Sequence, residues 1–100
     1  MIYRFKAKVW IYDFEGASSW YFLTLPSAYS EELKLLREPF RAGFGSIKVL
    51  ATIGASTWTT SIFPDAKSGC YMLPLKKAIR QAEALEHDTQ VDCQIEVVST

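Results

Sequence analysis

The stretch YMLPLKKAIRQAEALEHD, residues 71–88, puts Lys76, Lys77 and Arg80 just behind a proline, where a helix is expected to begin. A helix start exposes unpaired backbone N–H groups and the positive end of the dipole. That end favours carboxylates over cations by a few tenths to ~1 kcal/mol each. Three cations in the first turns therefore run against the local preference. Either they point to solvent, with Glu83 and Glu86 further along the chain, or they join the free N–H groups to make an anion site. Tyr71, on the strand just before, would add a phenolic donor to such a site. The earlier TLPSAYSEELKLL is arranged conventionally, with Ser27 and Ser30 as candidate caps and Glu31 and Glu32 early in the helix.

A second constellation is STWTTS, where Ser56, Thr57, Thr59, Thr60 and Ser61 flank Trp58. Threonines suit strands for packing reasons alone. A row of hydroxyls beside an indole would also line a pocket mouth, with Trp58 as its flat wall and Thr60 and Ser61 as hydrogen-bonding groups. The stripe Arg4, Lys6, Lys8 reads as a solvated strand face, and lysines on an edge also discourage sheet-to-sheet pairing. With Trp10 and Tyr12 in phase, charge and stacking together would suit a single-stranded nucleic acid.

Other chemistries find little support. One histidine and two cysteines do not supply the four ligands of a tetrahedral metal site at recognisable spacings. His87 beside Asp88 reads as a turn. There is no G-x-S-x-G elbow, and a single histidine is the only candidate base for a nucleophile. Gly43-Phe44-Gly45-Ser46 resembles a phosphate loop but precedes a strand, whereas the dinucleotide fingerprint must open a helix.

The bulk composition sets the frame for these residues. A chain of 100 residues is the size of one domain, and 49% apolar content with 14% aromatics suffices for one core. The 11 basic residues cancel the 11 acidic ones, and nucleic-acid binders usually carry a basic excess. No run approaches the ~18 apolar residues of a membrane span. MIYRFKAKVWIYDF has charges spread through its apolar residues and no small-residue cleavage site, so it is not read as a signal peptide. A soluble, cytoplasmic protein is expected. The alternation in TQVDCQIEVV puts Cys93 on a buried face, and that in GCYMLP puts Cys70 opposite Tyr71 and Leu73. Two free thiols are therefore expected rather than a disulfide.

The elements that must position these groups follow from periodicity. YRFKAKVWIY alternates Tyr3, Phe5, Ala7, Val9 and Ile11 against Arg4, Lys6 and Lys8, which is a strand with one wet face. A turn at residues 15–18 leads to SWYFLTL, a strand stopped by Pro26. Tyr29, Leu33 and Leu36 share one helical face, and Glu38-Pro39 ends that helix. SIKVLATI is a third strand, followed by a turn at Gly54-Ala55-Ser56. The series then repeats: TWTTSIF, CYML ending at Pro74, a helix with Leu75, Ala78, Ile79, Ala82 and Leu85 on one stripe, and TQVDCQIEVV. Laying the second half on the first matches Trp10 with Trp58, Leu25-Pro26 with Leu73-Pro74, Ile47 with Ile95, and Val49 with Val97. Phe5, Val9, Leu25, Leu33, Ile47, Val49, Leu73, Ile79, Leu85, Val91 and Ile95 form the expected core.

The order hairpin, LP, basic helix, acidic turn, strand is similar to the swapped-hairpin half-barrel of AbrB/MazE-like transcription factors. LATIGASTWTTSIFPDAKSGCYMLPLKKAIRQAEAL, SSWYFLTLP and the last strand resemble a small bacterial family called domain of unknown function 1905. The strongest marks are the TIG…W.TSIFP and Y.LPLKK runs. That family places glycine-aspartate in the turn before the last strand, where this sequence has His87-Asp88. The resemblance implies a closed double-split barrel capped by helices, and no established activity.

The fold expected is thus mainly β: a single domain, a double-split pseudo-barrel of two ββαβ repeats at 1–54 and 55–100, capped by two helices. The function expected is non-catalytic binding of a small anionic ligand at the second helix, through Lys76, Lys77, Arg80, Tyr71, Trp58, Thr60 and Ser61, or of a protein partner. No cofactor, metal, nucleic acid or membrane is expected, and the chain should be a monomer or weak dimer. The alternative is a DNA-binding regulator of AbrB-like type. Fold analogy transfers function poorly, and the balanced charge weighs against it.

Overall fold

The structure is a computed structural model that describes residues 1–12, 19–37 and 45–98. The expected turn at 15–18, the helix end at Glu38-Pro39 and the glycine loop before Gly45 lie outside these residues. The strands are β1 (Ile2–Lys8), β2 (Trp10–Tyr12), β3 (Trp20–Thr24), β4 (Ile47–Ile53), β5 (Ser56–Pro64), β6 (Tyr71–Pro74) and β7 (Gln90–Val97). Helix α1 (Ser27–Arg37) follows β3, and helix α2 (Lys77–Ala82) follows β6. The strands form one curled antiparallel sheet in the order β1-β7-β4-β5-β6-β3-β2. The strands at its two ends, β1 and β2, are consecutive in the chain with only Val9 between them. Val9 is fully buried, and its N–H donates to Thr89 O at 2.9 Å while its carbonyl accepts from Asp88 N at 2.8 Å.

Alternation works as the sequence implies. Tyr3, Phe5 and Val9 face inward while Arg4, Lys6 and Lys8 face out. Val49, Ala51 and Ile53 of β4 meet Val91, Cys93 and Ile95 of β7 in the same core, closed by Leu33 of α1 and Ile79 of α2. Leu23 and Leu73 are cross-strand partners, both fully buried. Burying a leucine of this kind contributes about 1.5–3 kcal/mol. Of the expected core, only Ile47 is half-exposed, because it opens β4 at the margin of the sheet.

The ladder between β3 and β6 continues past both strands. Leu25 N donates to Tyr71 O at 2.9 Å, and Leu75 N donates to Tyr21 O at 2.8 Å. Each helix begins two residues later, so these bonds fix where the chain leaves the sheet. Ser30 is no helix cap. It lies inside α1, fully buried, and its Oγ accepts the Tyr71 backbone N–H at 3.0 Å. Glu31 and Glu32 also fall beyond the first turn of α1.

Helix α2 is shorter than its apolar stripe suggests. It stops at Ala82 because Ala84 adopts φ +53 and the Leu85 N–H reaches back to Arg80 O at 2.9 Å. That is the six-to-one bond of a Schellman end, formed here with alanine where glycine is usual. Ala78 and Ala82 are consequently exposed, and Leu85 enters the core from beyond the helix. In the turn before β7, Asp88 takes φ +69, a conformation aspartate tolerates better than most residues. Gly54 opens the two-residue β4–β5 turn at φ +57, with the Glu83 carboxylate where a Cβ would lie. Among the described residues, no helix is long and apolar enough to cross a membrane.

Candidate functional site

Where the end of β6 runs into α2, the curl of the sheet brings β3 and β5 alongside and leaves a cleft of about 330 Å³. Strand β5 contributes Trp58, Thr59 and Thr60, and β3 with its preceding residue contributes Ser19, Trp20 and Tyr21. Pro74, Leu75, Lys76 and Arg80 complete the lining. Two of these residues are cations and none carries a carboxylate.

Arg80 is the best-defined group. Its Nε–H donates to Leu75 O at 3.1 Å, and its guanidinium carbon sits 3.8 Å from the centroid of the Tyr21 ring. A cation over a tyrosine face is worth roughly 0.5–2 kcal/mol, more as water is excluded. The bond and the ring together hold the guanidinium in one place, and the Nη donors take no part in the Leu75 bond. Arginine here is therefore less a misplaced helix-start charge than a side chain anchored to the strand before and the strand beside. Lys76 is exposed at the N-cap position of α2, with φ −72 and ψ 157 and no side-chain capping bond. A helix of six residues has a short dipole, so the positive character of the cleft comes from the two side chains.

Of the residues singled out from the sequence, Lys76, Arg80, Trp58 and Thr60 meet at this cleft. Lys77 is exposed as the first residue of α2 and is not part of the lining. Ser61 is half-buried on β5, opposite Lys48. Tyr71 is only 2% exposed, belongs to the core and is not part of the lining. The aromatic role falls to Tyr21. Nothing in SSWYFLTLP marks it, because the contact depends on which strand lies beside β6. The hydroxyl row is split by the pleat: Ser56 Oγ donates to Glu83 Oε2 at 2.7 Å, and the Thr57 and Thr52 hydroxyls lie 3.3 Å apart.

The basic stripe on β1 is engaged by its neighbour β7. Arg4 Nε donates to Gln94 Oε1 at 2.9 Å, and Lys6 Nζ lies 3.8 Å from Asp92. Beyond it, Trp10 packs 5.0 Å from Phe22 and donates through Nε1 to Thr24 Oγ1 at 2.8 Å. His87 and Asp88 form an exposed pair at 3.6 Å. Cys70 and Cys93 are free thiols, both buried, and burial pushes Cys93 up to about 12. Burial raises Tyr3 as well, helped by the charge of Glu32 and a hydrogen bond to it. Among the described residues, no three metal-ligating side chains converge.

A curled antiparallel sheet with one helix after the β2–β3 pair and one after the β5–β6 pair, and a cationic, aromatic cleft at the start of the second helix, defines a small, mainly β domain. The family model described as Domain of unknown function (DUF1905) matches residues 5–95, and the chain belongs to that family. No curated protein matches it.

Proposed function

We propose that this domain is a non-catalytic binding module that holds a small anionic ligand in the cleft between β3, β5 and α2. The observation that carries the reading is Arg80, fixed by Leu75 O and the Tyr21 ring in a lining that has a second cation, Lys76, and, among the described residues, no acid. A guanidinium already held in place loses little freedom when it binds an oxyanion. Inorganic phosphate should raise the melting temperature of the wild type in a saturable way, because a ligand that binds only the folded state stabilises it. Lys76→Glu combined with Arg80→Gln should abolish that rise. An equal response in both proteins refutes the reading.

The same proposal includes two ββαβ repeats related by an approximate two-fold, closing as a double-split barrel. Its support is in the registers. The Phe5–Cys93 pair has its counterpart in Trp58–Ala51, and Trp10–Phe22 in Phe63–Met72. The bonds Leu25 N to Tyr71 O and Leu75 N to Tyr21 O exchange with each other. In this scheme Trp58 answers to Phe5 and not to Trp10, so no uniform slide relates the halves. Ser30 and Arg80 then occupy matching helix positions, one against Tyr71 and the other against Tyr21. The alternative, a DNA-binding regulator, has less behind it, since Arg4 and Lys6 are turned to partners on β7.

A further inference from the structure

We infer that the anion taken by this cleft is the C-terminal carboxylate of a short extended peptide, which lies along β5 as an added strand; the inference rests on the binding function just proposed and names its ligand class. The cleft opens where one strand leaves the sheet early. Strand β5 runs for nine residues and β6 for four. Among the described residues, the two pair at Phe63–Met72 and Pro64–Tyr71 and no further. Asp65 N also donates to Cys70 O at 2.9 Å, so the odd-numbered residues of β5 turn their main-chain groups towards β6. Ser61, the odd position before Phe63, falls opposite Pro74, which has no N–H to give. There β6 turns away. Leu75 N donates to Tyr21 O on β3, and Lys76 leads into α2.

Thr59 is the odd position before that, and it lines the cleft. Its N–H and C=O point away from β4, because the two-residue turn makes Ser56, Trp58 and Thr60 the residues that bond across that pair. They open instead onto the side that β6 has left, where no described strand pairs with them. Strands on either side of a third lie roughly 9–10 Å apart, so the departure of β6 from between β5 and β3 leaves the width of one strand. The matching edge of β1 is answered within the chain, where the Tyr29 phenol donates to Arg4 O at 3.2 Å. In the proposed repeat the place of Tyr29 is taken by Ile79, which is buried and brings no polar group. Trp58 to Thr60 line the cleft, so a facing segment of about three residues matches its 330 Å³. Charge decides which end of a chain enters. Arg80 and Lys76 stand beside the gap, and the Nη groups of Arg80 form a fork that fits the two oxygens of a carboxylate. Main-chain pairing then supplies affinity, and capture of the carboxylate sets direction and register.

The test titrates the whole chain with acetyl-Val-Thr-Val as the free acid, the same peptide as its C-terminal amide, acetate and inorganic phosphate, following calorimetric heat and melting temperature. The acid should bind about tenfold or more tighter than acetate, through the added main-chain bonds, and tighter than the amide by a similar factor, through its charge. N-methylation of each peptide amide in turn should weaken binding in alternation, since alternate N–H groups of a strand face β5. The acid should also slow hydrogen exchange at the Thr59 amide, which acetate should leave unchanged. Arg80→Gln should bring the acid down to the level of the amide. If the acid binds no tighter than acetate, if the amide binds as tightly as the acid, or if methylation acts equally at every position, the peptide inference is wrong, while binding of inorganic phosphate still upholds the anion site. If neither the peptides nor the anions bind, the binding function and the inference fall together.

Discussion

Ala82 and Ala84 are both exposed and only two residues apart, yet replacing each with glycine should move stability in opposite directions. Ala84 sits at φ +53, and a left-handed conformation costs an L-residue about 1–2 kcal/mol that glycine does not incur. Against this, glycine loses more freedom on folding, by roughly 0.5–1 kcal/mol. The net effect of Ala84→Gly is a gain of about 0.5–1 kcal/mol, with the Leu85-to-Arg80 bond kept. Ala82 is the last residue of α2, where glycine should cost about 0.5–1 kcal/mol. For a domain of this size, ~1 kcal/mol corresponds to a shift of about 4–8 °C. Thermal and urea unfolding of the two variants should thus bracket the wild type, Ala84→Gly above and Ala82→Gly below. Two variants shifted in the same direction would show that the helix does not end as described.

Other outcomes follow from burial and bonding. Leu25→Ala and Leu73→Ala should each lower stability by ~2–5 kcal/mol in denaturant unfolding, since both side chains are almost wholly enclosed. Ser30→Ala removes the side-chain acceptor of the Tyr71 amide and should cost about 1–3 kcal/mol, with faster exchange at that amide. Two thiols should react with a disulfide reagent promptly after denaturation without reductant, and slowly before it. Cys93 is raised in the folded chain, so the unfolded state loses its proton first as pH rises. Its contribution is complete below the usual thiol range and fades as pH climbs towards about 12. Cys93→Ala should flatten part of that alkaline decline, and Tyr3→Phe a further part.

The strands were open to reading because side-chain alternation is a local signal. Tyr3, Phe5 and Val9 declare a buried face without reference to any partner, and so do Val91, Cys93 and Ile95. Helix α2 misled for the opposite reason. Leu75, Ala78, Ile79, Ala82 and Leu85 fall at helical spacing, but the break at Ala84 depends on a bond to Arg80 O that no composition reveals. Ser30 looks like a cap by residue type and acts as a cross-link to β6, because its place is set by β6. At the cleft, Lys76, Arg80, Trp58 and Thr60 were visible as unusual residues in sequence, each on its own. Tyr21 was not, since its role arises only once β3 lies against β6.

The pairing of β1 with β7 also dictates an order of events as the chain is made. Arg4 and Gln94, 90 residues apart, lie side by side, and among the described residues β7 is the one strand that β1 pairs with. Contacts so distant along the chain form late, because a long loop must close before they return anything. The β4–β5 hairpin, with its two-residue turn, can assemble as soon as it leaves the ribosome. The N-terminal strand must wait until β7 has emerged, with Tyr3 and Phe5 uncovered throughout. During that interval Arg4, Lys6 and Lys8, interleaved with the apolar residues, are what keep one nascent strand from pairing with another. The basic stripe thereby has work before the fold exists, whatever it touches afterwards.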